Sequence, residues 1–207
     1  GAGVFERWDA HIDRLVDHAA ASRAVILGVS FGGLIATRYA ARHPARVSAL
    51  VLASAPSPRW QTNPRIDAAV RHPILTFPSY ILGTVERLAP EIMASRPTWT
   101  GRAGVALRYA GRAVRFAPSP RRMASWVREW NDQDFIADCR AVVAPTLLTT
   151  GEEALDRVVP VSSTLDYLNF VATARHVTLA RTGHLGFITR PREFAALVFN
   201  FLEVNET

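Results

Sequence analysis

The sequence contains no lysine: all 24 of its basic residues are arginine, set against 18 acids. That uniformity reads as coding bias rather than a nucleic-acid surface. It also removes the lysine that a Walker-type phosphate loop requires. Cysteine is nearly absent. The lone Cys139 excludes an internal disulfide and fits a reducing, cytoplasmic compartment. No glycine turn or paired base stands beside it, so it is read as structural. No apolar run reaches the roughly 18 residues needed to cross a bilayer. The longest apolar region, residues 73–83, is short and broken by Pro78. Residues 1–21 are charged and helical in pattern, which does not fit a secretory leader. No His, Cys and carboxylate cluster has metal-ligand spacing, so neither a metal nor an organic cofactor is expected.

What is present is a globular composition, 49% hydrophobic and 20% charged, long enough for one core with an insertion. Eight segments show helix or strand patterning. Helical spacing over 3–21 leads to the apolar run "AVILGV" (24–29), an Ala-rich helix over 31–43, and a second apolar strand over 47–54. After a long Pro-, Arg- and Trp-rich stretch the pattern resumes. A strand is expected over 145–151, a helix over 161–171, a strand over 174–180 and a closing helix over 191–203. Strand–helix alternation on both sides of the stretch predicts an α/β fold with a parallel sheet and crossover helices. Ligands of such sheets bind at the carboxyl ends of the strands.

One such end carries "GVSFGG" (28–33). The spacing Gly28-x-Ser30-x-Gly32 between a strand and a helix is that of a nucleophile elbow. The tight turn needs small residues on either side of Ser30, and Gly33 lets the helix approach the sheet. The N–H of Phe31, at the start of that helix, can face a developing oxyanion. The alternative, a plain glycine turn binding phosphate, lacks the GxGxxG spacing. A serine nucleophile needs a base and the base needs an orienting acid. Of six histidines, only His184 in "RTGHLGF" follows a strand's carboxyl end. The acid is expected after strand 145–151. Asp156 is favoured because it lies in the loop facing the other two ends. Glu152 comes next, while Glu153, Asp132 and Asp134 are lesser candidates.

The stretches "GVSFGGLIATRYAARHPARVSALVLASAP", "APTLLTTGEEALDRVVP" and "RTGHLGF" together resemble the carboxyl-terminal two thirds of an α/β-hydrolase-fold enzyme. The resemblance implies a core over 1–56 and 141–207 with a helical lid inserted at 57–140. It implies a serine hydrolase cleaving a carboxylic ester or related acyl bond, with acyltransferase chemistry on the same triad as an alternative. The family's acid usually falls three residues after the strand's glycine, here on Ala154, so two extra residues precede Asp156. The family's sheet has further strands before the elbow, and a loop there supplies a second oxyanion donor. Neither has a counterpart in residues 1–24. Strand 24–29 is therefore expected to pair with an amino-terminal hydrolase segment on another chain or with a second copy of this one. An incomplete, non-catalytic interaction subunit is the reading from a different class.

The whole charge excess lies in the lid stretch. Residues 57–140 hold 13 Arg and 7 acids, whereas the remainder has 11 of each. Four of the five tryptophans are also there: Trp60, Trp99, Trp126 and Trp130. Residues 101–116 read as a basic amphipathic helix with Arg102, Arg108, Arg112 and Arg115. Trp126 and Trp130, with Leu185 beside the histidine, are expected to line an apolar pocket for a small ester or acyl substrate. Neither nucleic acid nor a membrane is expected as a partner.

Overall fold

A computed structural model of the chain describes residues 3–95, 98–116 and 119–205. Four parallel strands form one sheet in the order β1 (Ala24–Val29), β2 (Val47–Ala53), β3 (Thr146–Thr150) and β4 (Ala174–Thr178). Helix α1 (Val4–His18) precedes β1, and α2 (Phe31–Arg42) carries the chain back to β2. Five helices follow: α3 (Pro64–Arg71), α4 (Pro73–Ser95), α5 (Trp99–Phe116), α6 (Pro120–Asn131) and α7 (Phe135–Ala141). Beyond β3 come the short α8 (Val161–Leu165) and a 3-10 turn (Asp166–Asn169), so the expected helix 161–171 splits in two. The chain then runs through β4, α9 (Gly186–Thr189) and α10 (Pro191–Asn205).

The period-2 alternation of the strands sorts their side chains onto two faces. Leu50, Leu52 and Leu148 face a core built with Phe5 of α1, Leu34 and Tyr39 of α2, and Phe135 and Cys139 of α7. Ala49, Val51 and Leu147 face the other way, against Phe201 of α10. Burial lifts the Cys139 thiol to about 12, which fits a packing role. α7 packs on α2, so the chain rejoins the core by Phe135.

Within the helical stretch, two helix starts follow from local sequence. Asn63 accepts the N–H groups of Arg65 and Ile66 ahead of Pro64, and Ser119 accepts that of Arg122 ahead of Pro120. α4 does not stop at Pro78 but runs through both it and Pro90. The side chains of Arg108 and Arg112 lie outside the described residues; Arg102 and Arg115 lie on α5.

β1 differs from its neighbours. It is paired only with β2 among the described residues, and its side chains alternate between half-buried and exposed. Val25 is 39% and Leu27 45% exposed. Their partners across the ladder, Ala49 and Val51, are covered by α10, whereas the described helices leave β1 open on that face.

Candidate active site

The three loops that the sequence singles out are drawn together by hydrogen bonds that extend the ladder past the strand ends. Ser30 N–H donates to Ala53 O at 2.9 Å, Ser54 N–H to Thr149 O at 2.9 Å, and Leu179 N–H to Thr150 O at 2.8 Å. The carboxyl ends of all four strands are thereby laced side by side.

Ser30 sits between β1 and α2 with φ 52° and ψ −129°, a left-handed conformation that a residue with a side chain seldom adopts. Holding it costs on the order of 1–3 kcal/mol, which the surrounding contacts must over-determine. Two glycines permit the turn. A Cβ on Gly28 would collide with the Gly32 carbonyl, and one on Gly33 would lie 2.5 Å from the Ala55 Cβ. Gly32 itself corrects the sequence reading. A Cβ there would meet nothing within 4 Å, because its face of the turn is open. Phe31 opens α2, and the Gly33 N–H is satisfied by Ser30 O at 2.8 Å.

Asp156 and His184 meet. The imidazole Nδ1 lies 3.5 Å from Asp156 Oδ1, with the carboxylate 4% exposed as a residue. Burial pushes the Asp156 carboxyl up. The hydrogen bond and charge of His184, the Val159 N–H and the Ser54 hydroxyl together outweigh burial, so it lies below its ordinary value of 3.8. Asp156 Oδ1 also accepts Val159 N–H at 3.0 Å and Val158 N–H at 3.2 Å, which fixes the carboxylate in its loop. The two extra residues before it are taken up in a turn closed by Asp156 N–H onto Glu152 O at 2.9 Å. Glu152 points elsewhere, accepting Arg181 N–H at 2.7 Å on the surface. Glu153 is exposed, and Asp134 caps α7 through Ala137 N–H. Gly183 is needed where it stands, since a Cβ would come within 2.5 Å of Leu155 O. That contact presses the histidine turn onto the acid loop.

Three of the other histidines are engaged elsewhere. His176 is hydrogen-bonded to Thr150 across β3 and β4 at 2.8 Å, His43 stacks on Tyr39, and His11 meets Trp8 edge-on. Among the described residues no hydrogen bond joins Ser30 to His184. Such contacts are commonly loose before substrate is bound.

Ser30 lies on the wall of a cavity of about 390 Å³ between the strand ends and α3, α4 and α6. Its lining is apolar, with Trp60, Val70, Phe77, Met123, Val127 and Trp130. Arg87 of α4 is the charged side chain on the wall, and its Nη2 donates to Thr84 Oγ1 at 3.3 Å. Two expected lining residues are placed elsewhere. Trp126 stacks on Phe31 at 5.6 Å and 7° and lines a groove beside β1. Leu185 is buried, with its N–H bound to Glu91 of α4 at 2.6 Å. Glu91, Arg87 and Ser54 are the site residues that sequence reasoning missed. For Glu91 the available signal was an acid inside an otherwise apolar helical turn, "LAPEIM".

The chain belongs to the α/β-hydrolase fold family, whose model matches residues 4–191. It is 30% identical over 208 residues to a 2-hydroxymuconate semialdehyde hydrolase of Pseudomonas putida, covering 95% of this chain and 68% of that protein. It is 26% identical over 196 residues to a pimeloyl-[acyl-carrier protein] methyl ester esterase of Vibrio parahaemolyticus, covering 94% of this chain and 76% of that one. A solved hydrolase from Pseudomonas aeruginosa superposes with a TM-score of 0.74 at 25% identity, over 98% of this chain and 73% of its own. Among the described residues no helix is long and apolar enough to cross a membrane.

Proposed function

We propose that the protein is a serine hydrolase acting on a carboxylic ester or related acyl bond, with Ser30 as nucleophile, His184 as base and Asp156 as orienting acid. The observation that supports this reading is the Asp156–His184 pair on the loops after β3 and β4, together with a serine held at φ 52° on a cavity wall at the end of β1. Ser30 Oγ attacks the acyl carbon as its proton passes to His184. The imidazolium returns that proton to the departing alcohol as the ester C–O bond breaks. Asp156 holds the imidazole by Nδ1 and stabilises its cation. Water then gives a proton to His184 as its oxygen bonds the acyl carbon, and the imidazolium returns that proton to Ser30 Oγ as the acyl–Oγ bond breaks. The Phe31 N–H donates to the oxyanion.

The helical stretch 57–140 acts as a lid over the acyl chain, and its apolar wall selects a hydrophobic substrate. Arg87 gives that wall a cationic point, suited to a carboxylate remote from the ester. The unpaired edge of β1 is joined in the working protein by a further strand, from an amino-terminal hydrolase segment or a second copy, which also brings the second oxyanion donor. Exposed Val25 and Leu27 support this, since a bare apolar edge invites pairing.

A fluorophosphonate probe tests the nucleophile. The assembled protein should be labelled once per chain, and labelling should vanish in Ser30→Ala. Failure of the wild-type protein to react would overturn the hydrolase reading.

A further inference from the structure

Glu91 is 0% exposed, yet it meets no cation among the described residues. It lies on α4 and reaches out of the helical stretch into the histidine turn. Its Oε2 accepts the N–H of Leu185 at 2.6 Å, and its Oε1 accepts the hydroxyl of Thr189 at 3.0 Å. The Gly183 N–H is a further donor to it. The carboxylate therefore grips the backbone on both sides of His184. The opposite side of the same turn is pressed against the acid loop, where Gly183 approaches Leu155 O and the Asp156 N–H. The Thr189 oxygen also lies 3.2 Å from Leu185 O, so its one hydroxyl hydrogen is shared between that carbonyl and Glu91.

A buried carboxylate held only by neutral donors is costly unless the arrangement does something that an apolar residue could not. An apolar side chain at this position would leave the Leu185 N–H without that acceptor and the Thr189 hydroxyl with the Leu185 carbonyl alone. The turn would then be free to rotate the imidazole away from Asp156, whose Oδ1 is already 3.5 Å from Nδ1.

We propose that Glu91 is a positioning residue that sets the orientation of His184 from the lid, so that the histidine is aligned only while α4 is seated on the core. Lid movement and catalytic alignment are then one event. When α4 lifts to admit substrate, the turn loses its acceptor, and when α4 reseats, the turn is restored. The inference rests on the hydrolase reading above and adds a coupling between lid and base.

The test is steady-state kinetics on the complete protein, with active sites counted by fluorophosphonate titration. Glu91→Ala should lower kcat per titrated site by about 10–100-fold, as loss of outer-shell support commonly does, with KM changed by less than about threefold. Glu91→Gln keeps an acceptor for Leu185 N–H and should stay within about fivefold of wild type. A merely structural role would reduce the number of titratable sites and leave kcat per site unchanged, and that result overturns the proposal. Equal losses in Glu91→Gln and Glu91→Ala also overturn it. If Glu91→Ala does not fold, Thr189→Val removes one donor to Glu91. A fall in kcat there at constant KM supports the coupling, and wild-type kcat overturns it. Absence of labelling in the wild-type protein would sink the hydrolase reading itself, whereas active wild type with indifferent Glu91 variants would sink only this inference.

Discussion

Asp156 and Glu91 are both buried carboxylates held against the turn that carries His184, yet their acidities move in opposite directions. Burial raises both. Asp156 faces an imidazole, and that hydrogen bond and charge, with the Val159 N–H and Ser54 hydroxyl, bring it below its ordinary value. Glu91 faces only the Leu185 and Gly183 N–H groups and the Thr189 hydroxyl, with the Asp156 charge opposing it, and it stays above its ordinary value. Depth alone therefore does not decide the charge state of a buried acid. A partner able to become a cation does. In the proposed mechanism the acid on the core loop faces a charge that comes and goes on its neighbour, whereas the acid on α4 faces neutral donors throughout.

The largest expected effect breaks this contrast at the core. Asp156→Asn should lower kcat by about 10⁴-fold, because the amide cannot hold the imidazole tautomer that accepts the Ser30 proton. Glu91→Gln, the same chemical change one layer higher, should cost less than about fivefold. Similar losses in the two variants, measured side by side by ester hydrolysis, would show that the two acids do not divide their work as argued.

A smaller effect concerns a charge that touches neither acid. Arg87 lies on the cavity wall, so its removal should alter choice of substrate rather than the catalytic step. Arg87→Leu should reduce kcat/KM for esters with a terminal carboxylate by about 10–100-fold, the worth of one charge-assisted hydrogen bond of roughly 1.5–3 kcal/mol. Methyl-terminated esters of equal length should be hydrolysed as before or better. A parallel loss on both ester series would remove Arg87 from substrate recognition.

The sheet was legible because each strand is a short apolar run bounded by turn residues, and all four runs lie where the spacing put them. Ser30 and His184 were legible for a related reason: a glycine elbow and a Gly-His after a strand are local patterns. Asp156 was legible only as one of several acids. Its selection depends on the Glu152–Asp156 turn, which no spacing rule anticipates. The helical stretch 57–140 was hardest. Trp126 and Trp130 share a helical period and both meet Phe31 at 5.6 Å, yet Trp126 lines the groove beside β1 while Trp130, against Trp60, lines the cavity. Glu91 offered only an acid in an apolar helical turn, and its partners, 94 and 98 residues away, could not be read from that. Such a role is written in the tertiary contact and not in the helix that bears the residue.

The smallest expected effect sharpens the comparison through stability. Asp156 has a folded pKa below its ordinary value of 3.8, so the native state sheds this proton more readily than the unfolded chain. The stability it contributes is present above pH 3.8 and is lost as pH falls through the lowered folded value. Glu91 has a folded pKa above its ordinary value of 4.5, so between the two values the native state keeps a proton that the unfolded chain releases. Its effect is the reverse: stability falls as pH rises through that window. The Tm of Asp156→Asn should thus lie furthest below wild type at neutral pH and approach it under acid. That of Glu91→Gln should gain on wild type as pH is raised above 4.5. Each kcal/mol is worth about 2–4 °C in Tm for a chain of this size, and taking differences from wild type cancels the other titrating groups. Thermal melts of the three proteins across pH would read both slopes. Parallel curves for Glu91→Gln and wild type would mean that burial does not hold the Glu91 proton, and the contrast between the two acids would fail.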